Sequence, residues 1–353
     1  MIDLRLWFTA LQRPIKMSEK LPWNGIDPIA KWLISTRGTV TQLTAMAGMI
    51  AGLMAWHDGY FSFIPWIVMA FGLYMAHSTE NLINDYIDFT RGIDEDNYYR
   101  AQYGIHPLVH KLWNKNDWFR WFFSGGLIAT LCGVFILFYT RAADGAFNPI
   151  VIGLFIFGAV MIPLYAWPLK YLGLGEILIF INWGMILIPG VYAILAWSQT
   201  APALPPNLFN VMLCGMAFGF GFGSFNWGKH IDKIVPDGKK GVGTLPVRLG
   251  EPASRWVNIF TVCLSYAVVL YLVFVAHFLT PIVLIVFFAG GHAWHVIKLL
   301  SKPRPTEAPA GFSLWPRWFS TPQLAHIRLF GGLYILGLTL DIAIRTFAPT
   351  FWR

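Results

Sequence analysis

The chain has 353 residues, 56% of them hydrophobic and only 12% charged. Soluble globular domains carry about 25% charged residues, so this composition excludes that class and points to a polytopic membrane protein. The net charge of +8 reflects 26 Lys and Arg against 18 Asp and Glu. The one-sided placement of those bases, described below, accounts for it without a nucleic-acid partner.

Residues 1–38 read as a charged arm, and the stretch from Trp7 to Lys16 suits the inner membrane surface. Because the first apolar run starts late and behind this arm, no signal peptide is expected. Apolar runs of spanning length follow at 39–56, 61–83, 118–139, 149–167, 175–197, 207–227, 254–277, 280–300 and 324–347. A membrane helix needs about 17–25 such residues. They predict an all-α polytopic membrane protein of about nine transmembrane helices. One transmembrane domain covers 39–347, and a tail covers 348–353. The runs do not alternate as barrel strands do.

Placing the N-terminus inside leaves only Arg141, Arg345 and Arg353 outside, out of 26 Lys and Arg. That bias predicts an N-in, C-out topology in the cytoplasmic (inner) membrane. The outer connections are short. Polar loops at 84–117, 168–175, 226–253 and 301–323 lie inside, so any chemistry is expected there. The last is proline-rich and reads as an irregular spacer. Cys132, Cys214 and Cys263 sit in apolar runs and suggest neither a disulfide framework nor a metal site.

The first polar motif is N-L-I-N-D-Y-I-D-F-T-R-G-I-D, residues 81–94. If the second span continues through it, Asn81, Asn84, Asp85 and Asp88 stand at i, i+3, i+4 and i+7 and share a face. His77 extends that face, and Asp94, Glu95 and Asp96 follow Gly92. Carboxylate and amide oxygens in this array suit a hard cation. Mg²⁺ takes only one or two protein carboxylates and completes its shell with water and phosphate. A merely solvated acidic helix end is the other reading, but acids at a helix C-terminus oppose the dipole.

The second motif, Y-A-W-P-L-K-Y-L-G-L-G-E at 165–176, has Pro168 ending the fourth span, with Lys170 and Glu176 as its only charges. A simple turn is the alternative. In the third motif, residues 226–250, Asn226, Lys229, His230 and Lys233 share a helical face. Asp232 and Asp237 bracket Pro236, and Lys239 and Lys240 follow in a glycine-rich turn. Acids with lysines suit a metal-bridged diphosphate; a basic loop touching anionic lipid is the alternative.

N-D-Y-I-D-x5-D, P-L-K-Y-x-G-L-G-E and D-x6-T-L-P-V-R-L-G, in that order, resemble the UbiA superfamily of intramembrane prenyltransferases over nearly the whole chain. N-D-Y-x-D and T-L-x-V-R-L-G look most like its naphthoate branch. The resemblance implies a UbiA-like bundle, a Mg²⁺ cofactor and a prenyl diphosphate substrate. Metal binding falls to Asp85, Asp88, Asp94, Asp232 and Asp237, with Asp85, Asp88 and Asp237 catalytic. Diphosphate binding falls to Asn81, Asn84, Lys170, Lys239 and Lys240. Two spacings depart from the family's pattern. Asp232 and Asp237 are one residue further apart than Asp-x3-Asp, with Lys233 four before Asp237. Tyr165 and Lys170 are one residue further apart than Tyr-x3-Lys.

The implied reaction neutralises the diphosphate leaving group, forms an allylic cation and lets a lipophilic acceptor attack it within membrane lipid. Tyr86 and Trp227 are the aromatics nearest the motifs. An aromatic quinone precursor is the favoured acceptor; porphyrin and glycerol-lipid acceptors use the same chemistry. A transporter and a non-catalytic subunit of a membrane complex remain rival readings. Four further features are assigned to structure. F-G-F-G-F-G at 218–223 permits close helix packing. Asp341 can pair with Arg345, and Glu80, on another face, with a lysine. His292 and His295 read as interfacial hydrogen-bonders.

Overall fold

The computed structural model describes residues 2–94, 99–142 and 145–348. Among them all regular structure is helical. Nine long helices match the nine predicted spans. They are α1 (Gly38–His57), α2 (Phe63–Thr90), α3 (Lys115–Tyr139), α4 (Pro149–Leu169) and α5 (Gly175–Thr200). The others are α6 (Leu208–Ile231), α7 (Glu251–Phe274), α8 (Pro281–Leu300) and α9 (Ser320–Phe347). Eight are long and apolar enough to cross a membrane. The exception is α2, whose 28 residues continue through the first polar motif and end in a polar half. Chain 349–353, most of the predicted tail, lies outside the described residues.

α6 lies at the centre and packs closely on α5. A Cβ at Gly219 would come within 2.4 Å of Gly184 Cα, and one at Gly215 within 2.6 Å of Gly184 O. The glycine-rich run therefore serves close packing, as its composition predicts. The core around it holds Leu43, Met54, Ile188, Phe218, Phe330 and Tyr334, all buried. α3 is the opposite case: only 11% of its apolar window is buried, against 67% for α1, so its Phe123, Leu127 and Leu131 face outward as a lipid-facing helix should. The three cysteines are free thiols.

The N-terminal arm is folded onto the bundle. Asp3 caps the helix Leu4–Gln12, and Asp27 caps Pro28–Ser35 while accepting from Trp7 Nε1 at 2.9 Å. Such caps contribute about 0.5–2 kcal/mol each. Arg328 of α9 donates to the carbonyls of Leu11, Gln12 and Thr39 at 2.7–2.9 Å, locking arm, α1 and α9 together. At the far end of the bundle, Asp58 is held by His57, Tyr192 and Asn207, and Asp341 by Arg345 at 3.0 Å and Thr280 N at 2.6 Å.

Candidate active site

The polar half of α2 is the spine of the site. Asn81, Asn84, Asp85 and Asp88 are all buried on one face, as their spacing predicts. A buried carboxylate in a membrane protein needs a partner, and each one here has a cation. Arg37 bonds both Asp85 and, at 3.2 Å, Asn81 Oδ1. It stands just before α1 with φ 60°, a left-handed backbone that turns its side chain toward α2. Burial alone would lower the Arg37 guanidinium pKa; the Asp85 carboxylate overrides this and holds it above its ordinary value. Arg100 reaches the other Asp85 oxygen at 3.5 Å. His106 Nε2 lies 3.0 Å from Asp94 and 4.0 Å from Asp85.

The second motif brings in Lys170, whose Nζ donates to Asn84 Oδ1 at 2.9 Å and to Asp88 Oδ1 at 2.5 Å. The wide spacing from Tyr165 is absorbed by a kink at Trp167, whose backbone is extended (φ −161°, ψ 130°), and across it Lys170 N–H donates to Tyr165 C=O at 3.1 Å. Tyr165 stays buried at the site wall. Gly173 turns the chain with φ +72°, where a Cβ would also press within 3.0 Å of Arg248. Tyr171 Oη then donates to Asp88 at 3.3 Å. Burial, helped by Asp88, raises the Tyr171 phenol above its ordinary pKa.

The third motif divides. Lys233 and Asp237 sit at i and i+4 and pair at 3.2 Å. Burial would lower the Lys233 pKa, but Asp237 and then Asp88 lift it above the ordinary value. Lys240 Nζ donates to Gly92 O at 3.0 Å, clamping this loop to the end of α2. Lys239, next to it and expected to bind diphosphate, is exposed and is not brought into the buried cluster.

Asp232, expected as a metal ligand, is engaged by another segment in this structure. Its oxygens accept from Phe319 N at 2.9 Å, and from Ser320 N and Ser320 Oγ at 3.0 Å each. It thus caps the start of α9, with Arg304 Nε 3.4 Å away. The reason is a break in the helix: α6 ends at Ile231, and a turn through Asp232 and Lys233 separates it from the short helix Ile234–Lys239 that carries Asp237. Burial pushes the Asp232 carboxyl up to about 6, against the pull of those amides.

Several groups escape the sequence reading. Arg37 comes from the arm, Arg100 and His106 from the loop after α2, and Arg317 from the predicted spacer. His230 pairs with Glu176, whose other oxygen accepts Leu245 N at 3.4 Å. Glu80 was expected to pair with a lysine; its Oε1 is buried with no hydrogen-bond partner among the described residues. Glu95 and Asp96 lie outside the described residues. His292 and His295 are exposed on α8.

Below the polar cluster a cavity of about 440 Å³ runs between the helices. Its polar end is formed by Arg37, Asn81, Asn84, Arg100, Lys229 and Arg317. Its long wall is apolar and includes Leu73, Ile136, Leu154, Phe155, Trp183 and Leu187. Cations at one end and hydrocarbon along the rest fit a ligand with an anionic head and an apolar tail.

Mg²⁺ fits this donor set. No three acidic, His or Cys side chains converge into a ready cage among the described residues. Asp94 nevertheless keeps a buried Oδ1 without a partner beside Asp85 and its His106 contact. A cation that needs few protein oxygens and takes the rest from water and phosphate suits such a site.

Fold and site together define a multi-pass membrane protein with buried charged groups at the polar mouth of a cavity lined by apolar side chains. Residues 45–319 match the UbiA prenyltransferase family, and the chain belongs to that family and is a prenyltransferase. It is 24% identical over 226 residues to the 1,4-dihydroxy-2-naphthoate octaprenyltransferase of Escherichia coli (strain K12), covering 64% of this chain and 70% of that relative. Among solved structures it is similar to a UbiA homologue from Archaeoglobus fulgidus bound to GPP and Mg²⁺. That likeness has a TM-score of 0.55 at 14% identity and covers 89% of this chain and 99% of that one. A digeranylgeranylglyceryl phosphate synthase structure is similar with a TM-score of 0.53 at 18% identity, over 88% of this chain and 97% of that one.

Proposed function

We propose that the protein transfers a prenyl group from a prenyl diphosphate to a hydroxylated aromatic acceptor, a quinone precursor, with Mg²⁺ as cofactor. The observation that carries this reading is the row of carboxylate–cation pairs on α2, set at the head of an apolar cavity. The naphthoate-using relative supports an aromatic acceptor over a porphyrin or a glycerol lipid. The bias of basic residues supports an N-inside placement in the cytoplasmic membrane, with the site facing the cytoplasm.

Asp85, Asp88 and Asp94 would hold the metal, with Asp237 on the opposing loop. Bound Mg²⁺ supplies Lewis-acid neutralisation of the diphosphate, which contributes several kcal/mol at the transition state. The remaining work belongs to the chain. Lys170, fixed by Asn84 and Asp88, and Arg37, fixed by Asp85, present preorganised positive charge to the departing oxygens. Lys233, held by Asp237, adds a cation from the opposite side. Asn81 and Asn84 orient these cations and can turn an amide to phosphate. The apolar wall holds the isoprenoid tail and excludes water from the allylic cation. Trp183, stacked on Phe222 at 4.4 Å between ring centres, offers that cation an aromatic face.

The test is direct. Purified protein is given geranyl diphosphate, Mg²⁺ and a dihydroxynaphthoate, and prenylated product and diphosphate are measured. The reading requires equal amounts of both, abolished by EDTA. Diphosphate-free uptake of ions into vesicles would favour a transporter instead.

A further inference from the structure

The cavity holds polar groups that the metal and diphosphate chemistry does not use. Glu80 lies on α2 one residue before Asn81 and four before Asn84, and it lines the same cavity as those two asparagines. Its Oε1 is buried and has no hydrogen-bond partner among the described residues. Across the cavity on α6, Asn226 is buried, and its Nδ2 likewise lacks a partner. One turn further along α6, Lys229 also lines the cavity and makes no ion pair among the described residues. An unmatched acceptor, an unmatched donor and an unmatched cation therefore share one chamber. Leaving such groups buried and unpaired costs about 1–3 kcal/mol each, more for charges. A site that tolerates this is built for a ligand that pairs them.

We propose that Glu80, Asn226 and Lys229 form the acceptor-recognition site. The ligand they select is a flat aromatic bearing a hydroxyl on one side and a carboxylate on the other. The hydroxyl donates to Glu80, and the carboxylate is met by Lys229 and the Asn226 amide. This rests on the prenyl-transfer reading and specifies the acceptor for it.

The placement gives Glu80 a chemical task as well. The C–O bond between the prenyl carbon and the diphosphate breaks, and its electron pair leaves on the diphosphate. The acceptor ring carbon forms the new C–C bond as the hydroxyl proton passes to the Glu80 carboxylate. The resulting ring ketone regains aromaticity when the proton on the alkylated carbon moves to its oxygen. The proton held by Glu80 then leaves with the products, so one proton is released per transfer.

The test uses binding, so it does not depend on turnover. 4-Hydroxy-2-naphthoate is titrated against the purified full-length protein in detergent, with quenching of protein tryptophan fluorescence as readout. Its 4-methoxy analogue, which cannot donate, is the control, and geranyl diphosphate with Mg²⁺ is titrated separately. Glu80→Gln is expected to weaken the hydroxynaphthoate at least tenfold and the methoxy analogue less than twofold. Geranyl diphosphate affinity should stay within twofold, which also shows that the variant is folded. Lys229→Met is expected to weaken both naphthoates at least tenfold. Equal affinity of wild type and Glu80→Gln for the hydroxynaphthoate, or no binding by wild type, overturns the proposal. So does a matching loss of geranyl diphosphate binding, which would put Glu80 in the diphosphate site. Wild-type protein that binds the naphthoate but not geranyl diphosphate would instead overturn the prenyl-transfer reading.

Discussion

The two acidic motifs use the same residue types and reach different ends. On α2 the chain stays helical through residue 90, so Asn81, Asn84, Asp85 and Asp88 keep one face and all meet the cluster. In the loop after α6 the helix breaks at Asp232, and the two aspartates part. Asp237 turns into the cluster with Lys233, while Asp232 turns away to cap α9. Where a carboxylate points in this molecule thus depends on whether the helix continues or breaks beneath it, not on proximity in sequence to other acids.

That comparison can be pressed by mutation, and the largest effect belongs to α2. Asp88→Asn removes the partner of Lys170 and an expected metal ligand. Losing one preorganised charge contact of this kind costs about 3–4 kcal/mol, or 10²–10³ in rate. Prenyl transfer by purified protein should fall by that factor while the variant keeps its elution profile. Turnover near that of wild type would remove Asp88 from the chemistry.

Asp237→Asn is expected to cost less, on the order of 10–100-fold in turnover, about 1.4–2.8 kcal/mol. The loss should shrink at high Mg²⁺, because the α2 carboxylates remain. A loss as deep as that of Asp88→Asn, with no response to Mg²⁺, would make the two motifs equal.

The smallest effect on turnover belongs to Asp232. Asp232→Asn keeps an oxygen for the start of α9 and should leave turnover within about threefold. Asp232→Leu removes the cap and should lower stability by about 0.5–2 kcal/mol, read as a drop in melting temperature in detergent. A collapse of turnover in Asp232→Asn at unchanged melting temperature would return Asp232 to the metal site.

Much of this was legible in the chain. Spans of twenty or so apolar residues announce themselves, and the α2 face follows from a spacing of 3 and 4. What was not legible depends on contacts between distant segments. Arg37 meets Asp85 across 48 positions, and Asp232 meets Phe319 across 87. A single arginine in a basic arm has no pattern to mark it. Lys239 and Lys240 are indistinguishable in sequence, yet a turn sends one to solvent and the other to Gly92. The proline-rich loop reads as a spacer by composition. Folded, it delivers Arg304 to Asp232 and Arg317 to the cavity. Glu80 reads as lying on another face, but it lines the same cavity as Asn81 and Asn84, formed by helices that only folding brings together.

The central claim is that the α2 carboxylates, and not Asp232, support diphosphate departure. The most direct measurement is acceptor-dependent diphosphate release from geranyl diphosphate by wild type, Asp88→Asn and Asp232→Asn at one Mg²⁺ concentration. The account predicts release by wild type and Asp232→Asn at similar rates, and release by Asp88→Asn at least a hundredfold slower. Equal rates for wild type and Asp88→Asn, or a loss confined to Asp232→Asn, would contradict it.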